Sequence, residues 1–145
     1  MKSTSFHKHS GGCHCGNIRM VVELATTPRE TAVRACQCSF CRAHGVRTAS
    51  DPAGTLKLWA QDWTETVRYR FGTNSADLLI CRKCGVFVAA IADMSEGVLG
   101  VVNVNALSDQ AQFTAQPETF DPNDEPREHR QDRWAKTWMR AIVHT

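Results

Sequence analysis

Seven cysteines occupy positions 13, 15, 36, 38, 41, 81 and 84 of a 145-residue chain. Thiolates are soft metal ligands and, when free, strong nucleophiles. An odd number in tight groups of two, three and two suits metal ligation better than a disulfide framework. In Cys13-His14-Cys15, an extended segment would turn both sulfurs to one face, with Cα atoms about 6.6 Å apart. Side-chain rotation could then bring the sulfurs to the ~3.8 Å spacing of a tetrahedral zinc whose Zn–S bonds are ~2.3 Å. Cys81-Arg82-Lys83-Cys84-Gly85 reads as a tight turn that aims two thiolates at one metal, with a positive φ expected at Gly85. The two pairs together supply four thiolates, the count of a closed structural zinc site. Such a site would fasten chain segments about 65 residues apart and contribute directly to folding. Spacing alone leaves open which pair joins which.

Cys36-Gln37-Cys38-Ser39-Phe40-Cys41 brings three sulfurs into six residues. Three protein ligands and one open position are the pattern of a catalytic zinc site. His44 follows at metal-ligand spacing and would close the site if it ligated. His14 should point away from its neighbouring cysteines, while His7 and His9 fall in a polar tail and are expected in solvent. Zinc with three thiolates carries a formal charge of about −1, which blunts its Lewis acidity. That charge favours holding an exogenous thiol as thiolate over ionising water, so the expected substrates are a small thiol and an electrophile beside it. Arg42, Arg47, Arg82 and Lys83 lie near the cysteines, and a guanidinium fork suits carboxylates. Arg42 is the candidate contact to the thiol compound.

These ligands need rigid supports. Ile18, Met20, Val22 and Leu24 alternate with Arg19, Val21 and Glu23, the period of a half-buried strand. Val67, Tyr69 and Phe71 alternate with Arg68 and Arg70, and Leu78 to Ile80 leads into Cys81. VFVAAIA and GVLGVVNVN read as buried strands joined by a turn around Asp93 to Gly97, and Asp51-Pro52-Ala53-Gly54 reads as a turn. The expected organisation is a flexible segment over 1–10, a zinc-binding β domain over 11–115, and a connector with a C-terminal helix over 116–145. That helix is placed at 125–143, capped by Asp124. Trp134, Trp138 and Ile142 would form one face that docks on the sheet.

Composition narrows the class further. With 42% hydrophobic and 22% charged residues, the chain has enough apolar content for a folded domain with its own core. A net charge of +2 gives no general attraction to nucleic acid or anionic membrane, and neither is expected as a partner. The longest strongly apolar run, Val86 to Ala92, is seven residues and too short to span a bilayer. MKSTSFHKHSGG lacks the apolar centre of a secretory signal, so a cytoplasmic protein is expected.

Gly12-Cys13-His14-Cys15-Gly16, CQCSFCRAHG at 36–45 and CRKCG at 81–85 together resemble the glutathione-dependent formaldehyde-activating enzyme family, which also includes centromere protein V. The resemblance extends from about Gly11 to Leu107 and takes in VVNVNAL. It implies a mainly β fold, the β-tent, with antiparallel sheets around a structural zinc. Carried over by position, Cys13, Cys15, Cys81 and Cys84 match the structural zinc ligands. Cys36, Cys38 and Cys41 match the catalytic ones, which makes two zinc ions per chain. The implied activity adds the thiol of glutathione to formaldehyde or a related aldehyde, giving S-(hydroxymethyl)glutathione, and is classed as a carbon–sulfur lyase for the reverse direction. Asp77-Leu78-Leu79-Ile80 departs from the family pattern, which often has an aromatic residue directly before C-x-x-C. Two other readings are a zinc-stabilised module that binds glutathione or a protein without catalysis, and a thiol–disulfide switch using the cysteine triple.

Overall fold

The computed structural model describes residues 5–145. In chain order its elements are β1 (His7–Gly12), β2 (Ile18–Leu24), β3 (Arg34–Cys36), α1 (Ser39–His44), β4 (Thr48–Ala49), β5 (Thr55–Ala60), β6 (Thr66–Tyr69), β7 (Asp77–Cys81), β8 (Phe87–Met94), β9 (Gly97–Asn103), β10 (Glu118–Phe120), α2 (Arg127–Thr137) and β11 (Met139–Val143). The fold is mainly β, as the alternating apolar segments require. Ile18, Met20, Val22 and Leu24 of β2 are all buried, and the residues between them are not.

All the strands join one sheet, which branches at β9. Along one edge, β9 pairs with β8 from Gly97 to Val102. Its other edge is divided: Leu99 and Gly100 face β11, whereas Val102 and Asn103 face β4. From that branch one arm runs β11-β5-β2-β1 and another β4-β3-β10, while β8-β7-β6 completes the sheet. The main core fills the space beneath, with Ile18, Met20, Leu56, Leu58, Val102 and Met139 almost fully buried.

Strands β7, β8 and β9 are covered on both faces. Leu79, Ala89, Ile91 and Val102 look into the main core. Leu78, Phe87, Ala90 and Val101 look the other way, toward Trp134 and Trp138. A bulge where Leu79 pairs with Ala89 and Ile80 with Phe87 shifts the phase, so Phe87 and Ala90 share a side despite their odd spacing. Double burial is why VFVAAIA shows no polar alternation.

The chain differs from the sequence expectation at both ends. Of the segment expected to be flexible, residues 1–4 lie outside the described residues, while residues 7–10 belong to β1. His9 is 5% exposed, its Nδ1 lying 2.7 Å from Asp109 Oδ2 and its ring edge-on to Phe113, so it is not in solvent. The C-terminal helix is shorter than 125–143. Its N-cap is Pro126 rather than Asp124, and it ends at Thr137 with Trp138 in an extended conformation. Ile142 lies in β11, which runs parallel to β5 and antiparallel to β9. Those sheet partners supply hydrogen bonds that local periodicity cannot reveal. No helix among the described residues is long and apolar enough to cross a membrane.

Candidate functional site

Two tight turns build the first cysteine cluster. After β1 the chain is not extended at Cys13 and Cys15 but folds back on itself. The Cys13 N–H donates to the Ile18 carbonyl at 3.0 Å, and the Ile18 N–H donates to Cys13 Sγ at 3.2 Å. Between β7 and β8, the Cys81 N–H donates to the Val86 carbonyl at 3.0 Å, and Gly85 takes the expected positive φ of 79°. The turns meet so that Cys15 Sγ lies 3.7 Å from Cys13 Sγ and 3.6 Å from Cys81 Sγ. With Cys84, the four sulfurs all fall within 4.8 Å of one another. These spacings fit the edge of a zinc tetrathiolate, ~3.8 Å. Burial pushes the Cys13 thiol up to about 11. Burial also opposes ionisation of Cys84, yet hydrogen bonds from the Cys15 and Val86 amides and the Cys81 and Cys13 thiols bring it down to about 6. Four ionised sulfurs at this distance repel one another unless a cation sits between them, so the donor set fits a soft metal ion.

The second cluster is built over a strand-to-helix turn. β3 ends at Cys36, where Phe120 of β10 pairs with it in parallel register. Cys38 is the N-cap of α1, its Sγ accepting a 3.4 Å hydrogen bond from the Cys41 N–H. One helical turn later Cys41 returns to the same place, and the three sulfurs lie within 4.8 Å of one another. Hydrogen bonds from Cys36 and Cys41 hold the Cys38 thiol far below the ordinary thiol range, and the contacts with Cys36 and Cys38 push Cys41 up. Among the described residues, no histidine or carboxylate joins these three as a fourth ligand. His44 is exposed at the end of α1, its ring 4.5 Å from Phe40 between centroids. His14 is exposed and outside the four-sulfur cluster.

All three cysteines of the second cluster line a cavity of about 390 Å³. Leu78, Ala90 and Val101 form one wall, a row in register across β7, β8 and β9. The cavity is also lined by Trp134 of α2 and by Trp138, the residue that caps the C-terminal end of that helix, whose rings stack at 4.3 Å between centroids. Phe71 and Phe87 line the space as well, and Phe40 lies against both at 5.9 and 5.3 Å.

Charge enters at a separate edge. Arg34 and Arg133 lie 5.9 and 5.0 Å from the Phe120 ring centroid, and all three residues line the cavity. Arg130 and Lys136 add two more cations. Glu125 anchors this part of α2, at 3.0 Å from Arg133 and from His129 and 3.6 Å from Arg130. Hydrogen bonding from Arg133 holds the Glu125 carboxyl below the usual carboxylate range.

The sequence candidates therefore assemble as two groups of sulfurs, four and three. Arg42, the expected carboxylate contact, is exposed on α1 and does not line the cavity. Asp77, where the sequence departs from the family pattern, pairs with Arg68 and Arg70 and also lies off the cavity. Sequence reasoning missed the basic edge. One local signal existed: Arg34 stands two residues before Cys36 on a strand, hence on the same face. Arg130, Arg133 and Lys136 come from a distant helix and left no such sign.

Comparison with known proteins adds two findings. Residues 8–123 match the model of a family described as "Glutathione-dependent formaldehyde-activating enzyme". A solved crystal structure of a Rhodobacter sphaeroides protein is similar at 27% sequence identity with a TM-score of 0.59, covering 77% of this chain and 99% of that one. Helix α2, at Arg127–Thr137, falls outside the matched residues.

Proposed function

The chain belongs to the glutathione-dependent formaldehyde-activating enzyme family, and from that premise we propose that it adds the thiol of glutathione to formaldehyde or a related small aldehyde, with zinc as its metal. In the reverse direction this is carbon–sulfur lyase chemistry. Cys13, Cys15, Cys81 and Cys84 would hold a structural ion, and Cys36, Cys38 and Cys41 a catalytic one. A zinc ion held by three thiolates would let an incoming thiol ionise near neutral pH.

The protein's own groups supply the rest. Arg34, near the Phe120 ring, presents a guanidinium fork suited to a carboxylate of glutathione, while Arg133, near the same ring, gives its fork to Glu125 and contributes charge only. Arg130 and Lys136 add attraction for an anionic substrate, and this edge takes the role expected for Arg42. Phe71 and Phe87 add apolar surface to the cavity wall. As the sulfur–carbon bond forms, the carbonyl π pair moves to oxygen, and the proton given up by the thiol ends on the new hydroxyl. His44 does not line the cavity, so it is not placed to deliver that proton. Seven free thiols suit a reducing compartment, so we place the reaction in the cytoplasm.

The observation that carries this reading is a three-sulfur cluster, without a fourth side-chain ligand among the described residues, bordering a cavity with cations at its edge. Formaldehyde and glutathione also combine unaided, so the test must measure acceleration above that background. Exchange followed by NMR should rise with added protein and saturate with glutathione. It should return to the buffer rate in Cys38→Ala, while elemental analysis falls from two zinc ions per chain to one. Exchange no faster than in buffer for the metal-loaded protein would refute the proposal. A non-catalytic binding module gains no specific support, since His44 packs at a tilt against Phe40 and is not in the three-sulfur cluster.

A further inference from the structure

We infer that the aldehyde carries an apolar substituent of several carbons, seated between the Leu78–Ala90–Val101 row and the Trp134–Trp138 pair. This rests on the addition reaction proposed above and names its substrate class. The balanced reaction is R–CHO + GSH giving GS–CH(OH)–R. One sulfur–carbon bond forms, the carbonyl π bond breaks, the thiol proton ends on oxygen, and nothing is oxidised or reduced.

The 390 Å³ cavity takes in the basic edge around Phe120 as well as the apolar row, and formaldehyde, with only two hydrogens on its carbon, would use almost none of the apolar part. Glutathione does not suit the remainder either. Its backbone amides, amine and carboxylates need polar partners, and Leu78, Ala90 and Val101 offer none. Each amide buried there without a partner would weaken binding by roughly tenfold or more. The basic edge around Phe120 accommodates those polar groups instead. What remains is an apolar slot that borders the reacting sulfurs. Ala90, the smallest side chain of the row, gives the slot its depth: a larger residue there would project toward the tryptophans.

The slot also depends on a part of the chain that the family match does not include. Trp134 and Trp138 come from the segment after residue 123. They are 5% and 9% exposed, so they form a wall and not a surface patch. The cysteine triple and this wall line one cavity, so a substituent on the carbon bonded to sulfur would extend within the space they share. Such a ligand gains free energy with each methylene that leaves water.

Inert thioethers of glutathione report this without chemistry. Calorimetric titration of the purified, metal-containing protein with S-methyl-, S-butyl- and S-hexylglutathione should show affinity rising about fourfold per methylene. Ala90→Leu should flatten the series by occupying the slot. The wild-type series decides the matter even if that variant fails to fold. In parallel, kcat/KM for glutathione addition should rise from acetaldehyde to butanal and hexanal. Thioether binding that is independent of chain length overturns the inference. If formaldehyde addition is still accelerated in that case, the reaction proposed above survives. No thioether binding together with no acceleration of any aldehyde overturns both.

Discussion

The two cysteine clusters should differ sharply in what they do for stability, and a pair of single substitutions separates them. Cys15 and Cys81 are 66 residues apart in sequence, yet their sulfurs lie 3.6 Å from each other. A metal held by the four-sulfur cluster therefore closes a long loop. In chain-entropy terms, closing a loop of that size disfavours the unfolded state by about 4 kcal/mol. For a chain of this length the unfolding entropy near the midpoint is about 0.3 kcal/mol per degree, so losing the closure should lower Tm by roughly 14 °C. The Cys36, Cys38 and Cys41 cluster spans six residues and closes no long loop. Replacing Cys38 removes the sulfur that accepts the Cys41 N–H at the start of α1, a capping loss of about 1 kcal/mol, or ~3 °C.

Calorimetric melts of wild type, Cys84→Ala and Cys38→Ala, each with and without a strong zinc chelator, test this directly. Cys84→Ala should melt far below Cys38→Ala, and chelated wild type should fall toward Cys84→Ala. Once Cys84 is gone, chelator should have little further effect on Tm. If both variants melt within about 3 °C of wild type and chelator changes nothing, the four sulfurs pack as ordinary thiols and the loop-closure argument is wrong.

Three further outcomes are expected. A Cβ at Gly12, where φ is 152°, would stand 2.0 Å from the Ile18 carbonyl oxygen, so Gly12→Ala should cost about 3 kcal/mol or more and strip zinc from the adjoining Cys13 cluster, as melting and elemental analysis would report. Arg34→Ala should raise KM for glutathione about tenfold with kcat changed little, since the contact is to carboxylates that do not react; an unchanged KM would remove Arg34 from the binding edge. Arg133 holds the folded-state pKa of Glu125 below its unfolded value, so the stabilisation it brings is full above the ordinary carboxylate range and fades as pH falls through the depressed value. Protection factors of the α2 amides, corrected for the intrinsic pH dependence of exchange, should accordingly fall at acid pH in wild type, and Glu125→Gln should show lower protection at neutral pH with little further fall in acid.

The two cysteine clusters were legible in the sequence because their geometry is largely local. Two cysteines in a C-x-x-C-G turn, or three within a strand-to-helix turn, are brought together by a few dihedral angles, and counting ligands separates four from three. Even there the local picture needed correction: Cys13 and Cys15 converge through a hydrogen-bonded turn and not along an extended strand. The C-terminal error had a different source. Met139-Arg140-Ala141-Ile142-Val143 supports either helical or strand periodicity, and the choice falls to β5 and β9, whose edges accept it as a neighbour. His9 likewise looks like a tail residue until Asp109, 100 positions away, is brought to its ring.

The cavity was the least legible part, for a related reason. Its walls come from residues 34, 78, 90, 101, 134 and 138, which share no sequence pattern. The run VFVAAIA shows only that both faces of β8 are apolar; it does not show that one face meets the main core and the other a second apolar cluster bordering the cavity. That distinction depends on α2 ending at Thr137. Because Trp138 turns into β11, the stacked tryptophans stay on the α2 side while Met139 enters the main core. Had the helix continued to residue 143, as its periodicity suggested, Ile142 would have left the sheet, and the gap between β5 and β9 that β11 fills would have opened. The strand that completes the sheet and the helix that walls the cavity are thus alternative uses of neighbouring residues, and their boundary at Trp138 fixes how far the tryptophans stand from Ala90.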